Sequence, residues 1–147
     1  MTLILLFMLP FFMTVSAPSN GFLTIISPNP IVYTFSPQNW LDAIIWVESG
    51  NKGVGAYNRN EPQAKGKLQI WPILVRDVNR ILGYKKYTLN DRLNSKKSEE
   101  MFWIYQNYYN PEMNFEKMTR IWCGGPDGYL QDCTLFYLRL VKLRLNS

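Results

Sequence analysis

The stretch Trp40-Leu41-Asp42-Ala43-Ile44-Ile45-Trp46-Val47-Glu48-Ser49-Gly50 decides how the rest of the chain reads. Ser36 and Pro37 precede it, a capping residue and a proline suited to a first helical turn, and a glycine ends it. The spacing predicts a helix with Leu41, Ile44, Ile45 and Glu48 at i−7, i−4, i−3 and i, on one buried face. Glu48 is the single acid of that stripe. A carboxyl set against apolar neighbours near a helix C-terminus loses hydration and meets the negative end of the helix dipole, so its pKa is expected to rise. A carboxyl protonated near neutral pH can protonate a leaving oxygen, as glycosidic bond cleavage requires. A register shifted by one residue would instead turn Glu48 to water.

Two turn-rich segments follow, Gly50-Asn51-Lys52-Gly53-Val54-Gly55 and Asn58-Arg59-Asn60-Glu61-Pro62, and then Gly66-Lys67-Leu68-Gln69-Ile70 leads into Pro72. Glycine and asparagine accept the positive φ of tight turns, so the chain can fold back over Glu48 as a short hairpin or loop. The Gln69 amide is placed to bond a sugar or a neighbouring main chain, and Gly66 leaves room for the backbone to approach a ligand.

Glu48-Ser49, Gly66-Lys67-Leu68-Gln69-Ile70 and Ile121-Trp122-Cys123-Gly124-Gly125-Pro126 resemble, in order and spacing, the three motifs of the lysozyme-like soluble lytic transglycosylase family. The resemblance runs from Trp40 to Leu143. It implies a mainly α, lysozyme-like (α+β) domain that cuts peptidoglycan glycan strands between N-acetylmuramic acid and N-acetylglucosamine. It also implies Glu48 as acid and then base, with Ser49, Gly66, Gln69, Trp122 and Cys123 around the substrate. Cys123 departs from the family, which carries asparagine in that slot. A thiol is one weak donor where an amide supplies two donors and an acceptor, so turnover is put in doubt more than fold. Acidic residues in comparable loops of the distantly related goose-type lysozymes make Glu61 a candidate second carboxylate; otherwise it is a solvated turn residue before Pro62. With one acid, release by the sugar's own 6-hydroxyl is expected. With Glu61 beside Glu48, hydrolysis becomes available.

The chain has 147 residues, enough for one core and too few for two comfortable domains. Leu3 to Val15 is nearly all apolar and uncharged, and Val15-Ser16-Ala17 offers small residues, so 1–17 reads as a signal peptide. An uncleaved anchor is the alternative, although a spanning helix needs about 20 apolar residues. Residues 18–36 read as an extended linker and 37–147 as the catalytic domain. This arrangement implies an exported, periplasmic or extracellular protein, with membrane anchoring through the first segment or virion association as variants. Oligomeric state is left open.

Sixteen Lys and Arg against 11 Asp and Glu give a net charge of +5, which draws the protein to anionic cell wall. Nucleic acid is not expected as a partner, because the basic residues are dispersed and no nucleic-acid module is present. The chain has no histidine, which removes His-based metal sites, Ser-His-Asp triads and Cys-His dyads. No cofactor or metal is expected.

Helical spacing continues downstream. Pro72 to Leu82 places Ile73, Leu74, Val78, Ile81 and Leu82 on one side, with Arg76, Asp77 and Arg80 on the other and Gly83 as stop. Lys96 to Asn110, a helix capped by Asn114 and ended at Gly124-Gly125-Pro126, and Thr134 to Arg144 with Leu135, Leu138 and Val141 inward complete the set. Among the aromatics, Trp122 and Tyr108 are expected to face the cleft, where ring faces suit sugars, and Trp40, Trp46 and Trp103 to pack the core. Cys123 and Cys133 could close a disulfide in an exported protein; the alternative is two thiols, one of them in the cleft.

Overall fold

The computed structural model describes residues 23–26, 32–52 and 63–147, with side chains from residue 36 onward. Residues 1–17, read as a signal peptide, and the loop carrying Glu61 lie outside the described residues. The chain divides into two units, residues 1–34 and 35–147. In the region read as a linker, the backbone forms two short paired strands, β1 (Leu23–Ile26) and β2 (Val32–Phe35).

The second unit is mainly helical. Helix α1 (Pro37–Ser49) starts where the Ser36 hydroxyl accepts from the Asn39 amide at 3.1 Å. It stops where Gly50 turns left-handed, at φ 59°, and donates to the Trp46 carbonyl. Trp40, Leu41, Ala43, Ile44 and Ile45 are buried, so the stripe read from the sequence faces inward. Helices α2 (Pro72–Leu82), α3 (Ser95–Tyr109), α4 (Phe115–Gly124) and α5 (Leu135–Leu145) follow. Asn94 and Asn114 cap α3 and α4 with their side chains, and Gly83 ends α2 at φ 77°.

Helix α1 packs chiefly on α5 and also on α4, while α2 packs on α3. The core between them holds Leu41, Ile44, Met101, Phe102, Met118, Ile121 and Val141, all buried. Trp40 fixes α1 against α4: its ring stacks on Phe115 at 5.0 Å between centroids, and its indole N–H donates to the Thr119 hydroxyl at 2.6 Å. A buried donor with a partner loses little on leaving water, so this contact sets the crossing of the two helices as well as contributing apolar area.

Between α1 and α2 a turn runs from Lys65 to Ile70, which exchange backbone hydrogen bonds of 3.2 and 2.9 Å. Arg92, buried in a short 3-10 helix (Leu89–Leu93), ties this turn down by donating to the carbonyls of Gln63 and Ile70 at 2.7 and 3.0 Å. Burial lowers the Arg92 pKa from its ordinary value. A Cβ at Gly66 would stand 2.1 Å from the Arg92 carbonyl oxygen, and its φ is +76°. Packing of backbone on backbone therefore requires glycine at position 66.

Candidate active site

A cleft of about 800 Å³ opens between the end of α1, the start of α2, α3, the end of α4 and the start of α5. Glu48, Gln69, Trp122 and Cys123, four residues singled out in the sequence, line it together. Each arrives from a different cause. Glu48 is delivered by the α1 stripe, half-buried at the helix end. Gln69 sits in the tight turn at φ 47°, buried, with its amide nitrogen donating to the Gly66 carbonyl at 2.7 Å. Trp122 and Cys123 occupy the last turn of α4, with the Trp122 ring 4.8 Å from Phe102.

The Glu48 carboxyl accepts a 2.6 Å hydrogen bond at Oε1 from the hydroxyl of Tyr137. Burial first, and then the neighbouring Glu48 charge and hydrogen bond, push the Tyr137 pKa well above 10. The phenol therefore stays protonated and stays a donor across the ordinary pH range. It also fixes which way the carboxyl points.

Asp77 and Arg80 from α2 and Tyr109 from α3 also line the cleft. Arg80 Nε donates to Asp77 Oδ1 at 2.6 Å, Tyr109 Oη donates to Asp77 Oδ2 at 2.7 Å, and Arg80 Nη2 donates to Tyr109 Oη at 2.8 Å. Hydrogen bonding to Asp77 raises the Arg80 pKa, and burial with the Asp77 bond raises that of Tyr109. This closed triangle is charge-balanced between one carboxylate and one guanidinium. Tyr105, its pKa raised by burial, and Trp71 and Ile73, both largely exposed, complete the apolar parts of the wall.

Several sequence-based expectations differ from this arrangement. Tyr108 is 52% exposed and is not among the lining residues; its neighbours Tyr105 and Tyr109 are, because α3 turns 105 and 109 to one side. Tyr108 instead lies beneath the Arg80 guanidinium, 5.5 Å from its ring centre. Ser49 is buried, with its hydroxyl donating to the Ile45 carbonyl, and does not line the cleft. Cys123 and Cys133 are not bridged; both are exposed, and Cys133 lies 3.7 Å from Gln131 Oε1 in a separate 3-10 turn (Asp132–Thr134). Trp46 is 47% exposed beneath the Arg144 guanidinium instead of packed in the core.

Tyr137, Asp77, Arg80 and Tyr109 are the site residues that sequence reading missed. Spacing places Asp77 and Arg80 only on the side of α2 opposite its apolar residues, and nothing distinguishes Tyr137 from other aromatics until α5 is docked on α1. No protein-family model matches the chain, and no match is found among the curated proteins.

Proposed function

We propose that this domain has a lysozyme-like fold and cleaves the β-1,4 bond between N-acetylmuramic acid and N-acetylglucosamine in peptidoglycan, as a lytic transglycosylase. The observation that carries the reading is the half-buried Glu48 carboxyl, oriented by a neutral tyrosine hydroxyl inside a cleft walled by Trp71, Tyr105, Tyr109 and Trp122. Six motif residues besides Glu48 share that cleft, Gln69, Ile70, Trp122, Cys123, Gly125 and Pro126, which supports the family resemblance independently of sequence order.

In the proposed reaction Glu48, protonated, gives its proton to the bridging oxygen as the C1–O4 bond breaks. The resulting carboxylate faces the positive charge that develops at C1. It then takes the proton of the same sugar's 6-hydroxyl as O6 bonds to C1, closing a 1,6-anhydro ring and restoring the acid. Aromatic faces hold the sugars through their C–H surfaces, and Tyr137 keeps the carboxyl on line.

Hydrolysis of the same bond is the second reading, favoured by Asp77, a second carboxyl in the cleft. It predicts reducing ends in place of anhydro ends. A wall-binding module without turnover is the third, favoured by the exposed Cys123 thiol in the asparagine slot. Incubating purified protein and its Glu48→Gln variant with peptidoglycan, and resolving soluble products by mass, separates the three. Anhydro muropeptides from the wild type alone support transglycosylation, reducing muropeptides support hydrolysis, and retention on the wall without release supports the module.

A further inference from the structure

Helix α5 is apolar on two sides. Leu138 and Val141 are buried against the rest of the domain. On the opposite side Phe136 is 68% exposed and Leu143 is 59% exposed, with half-buried Leu140 between them. Positions 136, 140 and 143 follow i, i+4, i+7, so they form one stripe along the outside of the helix. Leu135 adds a fourth partly exposed side chain at the helix start. A contiguous apolar stripe on the solvent side of an amphipathic helix marks an interaction surface.

Charge selects the occupant. Helix α5 holds Arg139, Lys142 and Arg144 and contains no acid. Arg139 is exposed and makes no ion pair or hydrogen bond among the described residues, Lys142 is shared with Glu116 of α4, and Arg144 lies over the exposed Trp46 ring at 5.0 Å. Asp132, upstream of the helix, is the nearest acid in sequence. A second copy of this face would bring cations against cations, and the chain as a whole carries +5. An apolar stripe flanked by cations, beside a tryptophan, matches instead the surface of an anionic bilayer, where acyl chains receive the stripe and phosphates receive the cations. No helix among the described residues is long and apolar enough to cross a membrane, so such a helix would lie in the interface plane.

We propose that the outer face of α5 docks the domain onto anionic phospholipid, with Phe136, Leu140 and Leu143 inserted and Arg139, Lys142 and Arg144 against the headgroups. This proposal is independent of the reaction assigned to the cleft, because none of these side chains lines it. The test is co-sedimentation of the full chain with vesicles of phosphatidylglycerol and phosphatidylcholine, and with phosphatidylcholine alone, at low and high salt.

The expected result is binding to the anionic vesicles that falls about tenfold or more in a Phe136→Asp/Leu143→Asp variant, and that weakens with salt. An Arg139→Gln/Lys142→Gln variant, which leaves the apolar stripe intact, should lose most of the preference for anionic lipid. Circular dichroism and melting verify that each variant is folded, and a misfolded aspartate pair is replaced by Phe136→Ser/Leu143→Ser. Equal vesicle binding by wild type and all folded variants would mean that another part of the chain makes the contact, and overturns the proposal. So does a wild-type dimer in sedimentation equilibrium that the stripe variants dissociate, since a second copy would then cover this face.

Discussion

Glu48 and Asp77 line one cleft, yet their settings differ. Glu48 accepts from the hydroxyl of Tyr137, a group that burial keeps neutral. Asp77 sits between the Arg80 guanidinium and the Tyr109 hydroxyl, in a triangle where each pair is hydrogen-bonded. Asp77 has both of its oxygens committed, one to a permanent cation and one to a phenol. Glu48 is instead oriented by a neutral donor at Oε1. On the proposed reading, proton transfer belongs to the α1 end of the cleft, and the Asp77–Arg80–Tyr109 triangle holds the α2 end together.

The largest expected effect tests that assignment directly. Glu48→Gln removes the transferable proton while keeping shape, and should lower peptidoglycan release by about 10³-fold or more with little change in melting temperature. Asp77→Asn should leave turnover within about tenfold and act mainly on stability, because it strands the Arg80 charge beside an amide. Product release and thermal melting, measured on both variants, decide it. A loss at Asp77→Asn equal to that at Glu48→Gln breaks the contrast and moves the chemistry toward two carboxyls.

The two tyrosines extend the comparison at smaller scale. Tyr137→Phe removes a donor to a carboxyl and should cost about 1.5–3 kcal/mol in the combined readouts of stability and transition-state binding, most of it as lost turnover. Tyr109→Phe leaves Asp77 its guanidinium and should cost under about 1.5 kcal/mol, nearly all as stability. Split effects on kcat and on melting temperature are the measurement. Turnover untouched by Tyr137→Phe would show that Glu48 needs no such orientation.

The legible part of this protein was the part written in local pattern. Ser36-Pro37, Gly50, Gly83, Asn114 and Gly125 mark helix ends through capping chemistry that acts within a few residues, and the observed helices begin and end beside them. The stripe that carried Glu48 to the cleft is likewise a property of one helix. The Tyr137–Glu48 bond joins residues 89 positions apart, and Tyr109–Asp77 joins residues 32 apart, so each depends on which helices pack together. Ile73 shows the same limit from the other side. Spacing placed it on one side with Val78, but α2 buries Val75 and Val78 and leaves Ile73 in the cleft wall, 65% exposed. An amphipathic pattern finds a face; the rotation of that face against its neighbours is a tertiary choice.

Asp91 supplies a third carboxylate against which to sharpen the contrast, and the smallest expected effect. It accepts from Lys97 Nζ at 2.6 Å and from the Thr88 amide at 2.7 Å, and those bonds, Lys97 first, draw its pKa down to about 2. In an unfolded chain an aspartate titrates near ~3.9. A folded pKa below the unfolded one means that the contribution is present above about pH 4 and is lost as pH falls toward 2. The pair is partly exposed and screened by solvent, so the contribution should be under about 1 kcal/mol. Asp91→Asn should therefore lower the melting temperature slightly at pH 6, and the gap between variant and wild type should close on acidification to about pH 2. A constant gap across that window would mean that Asp91 acts through something other than its charge.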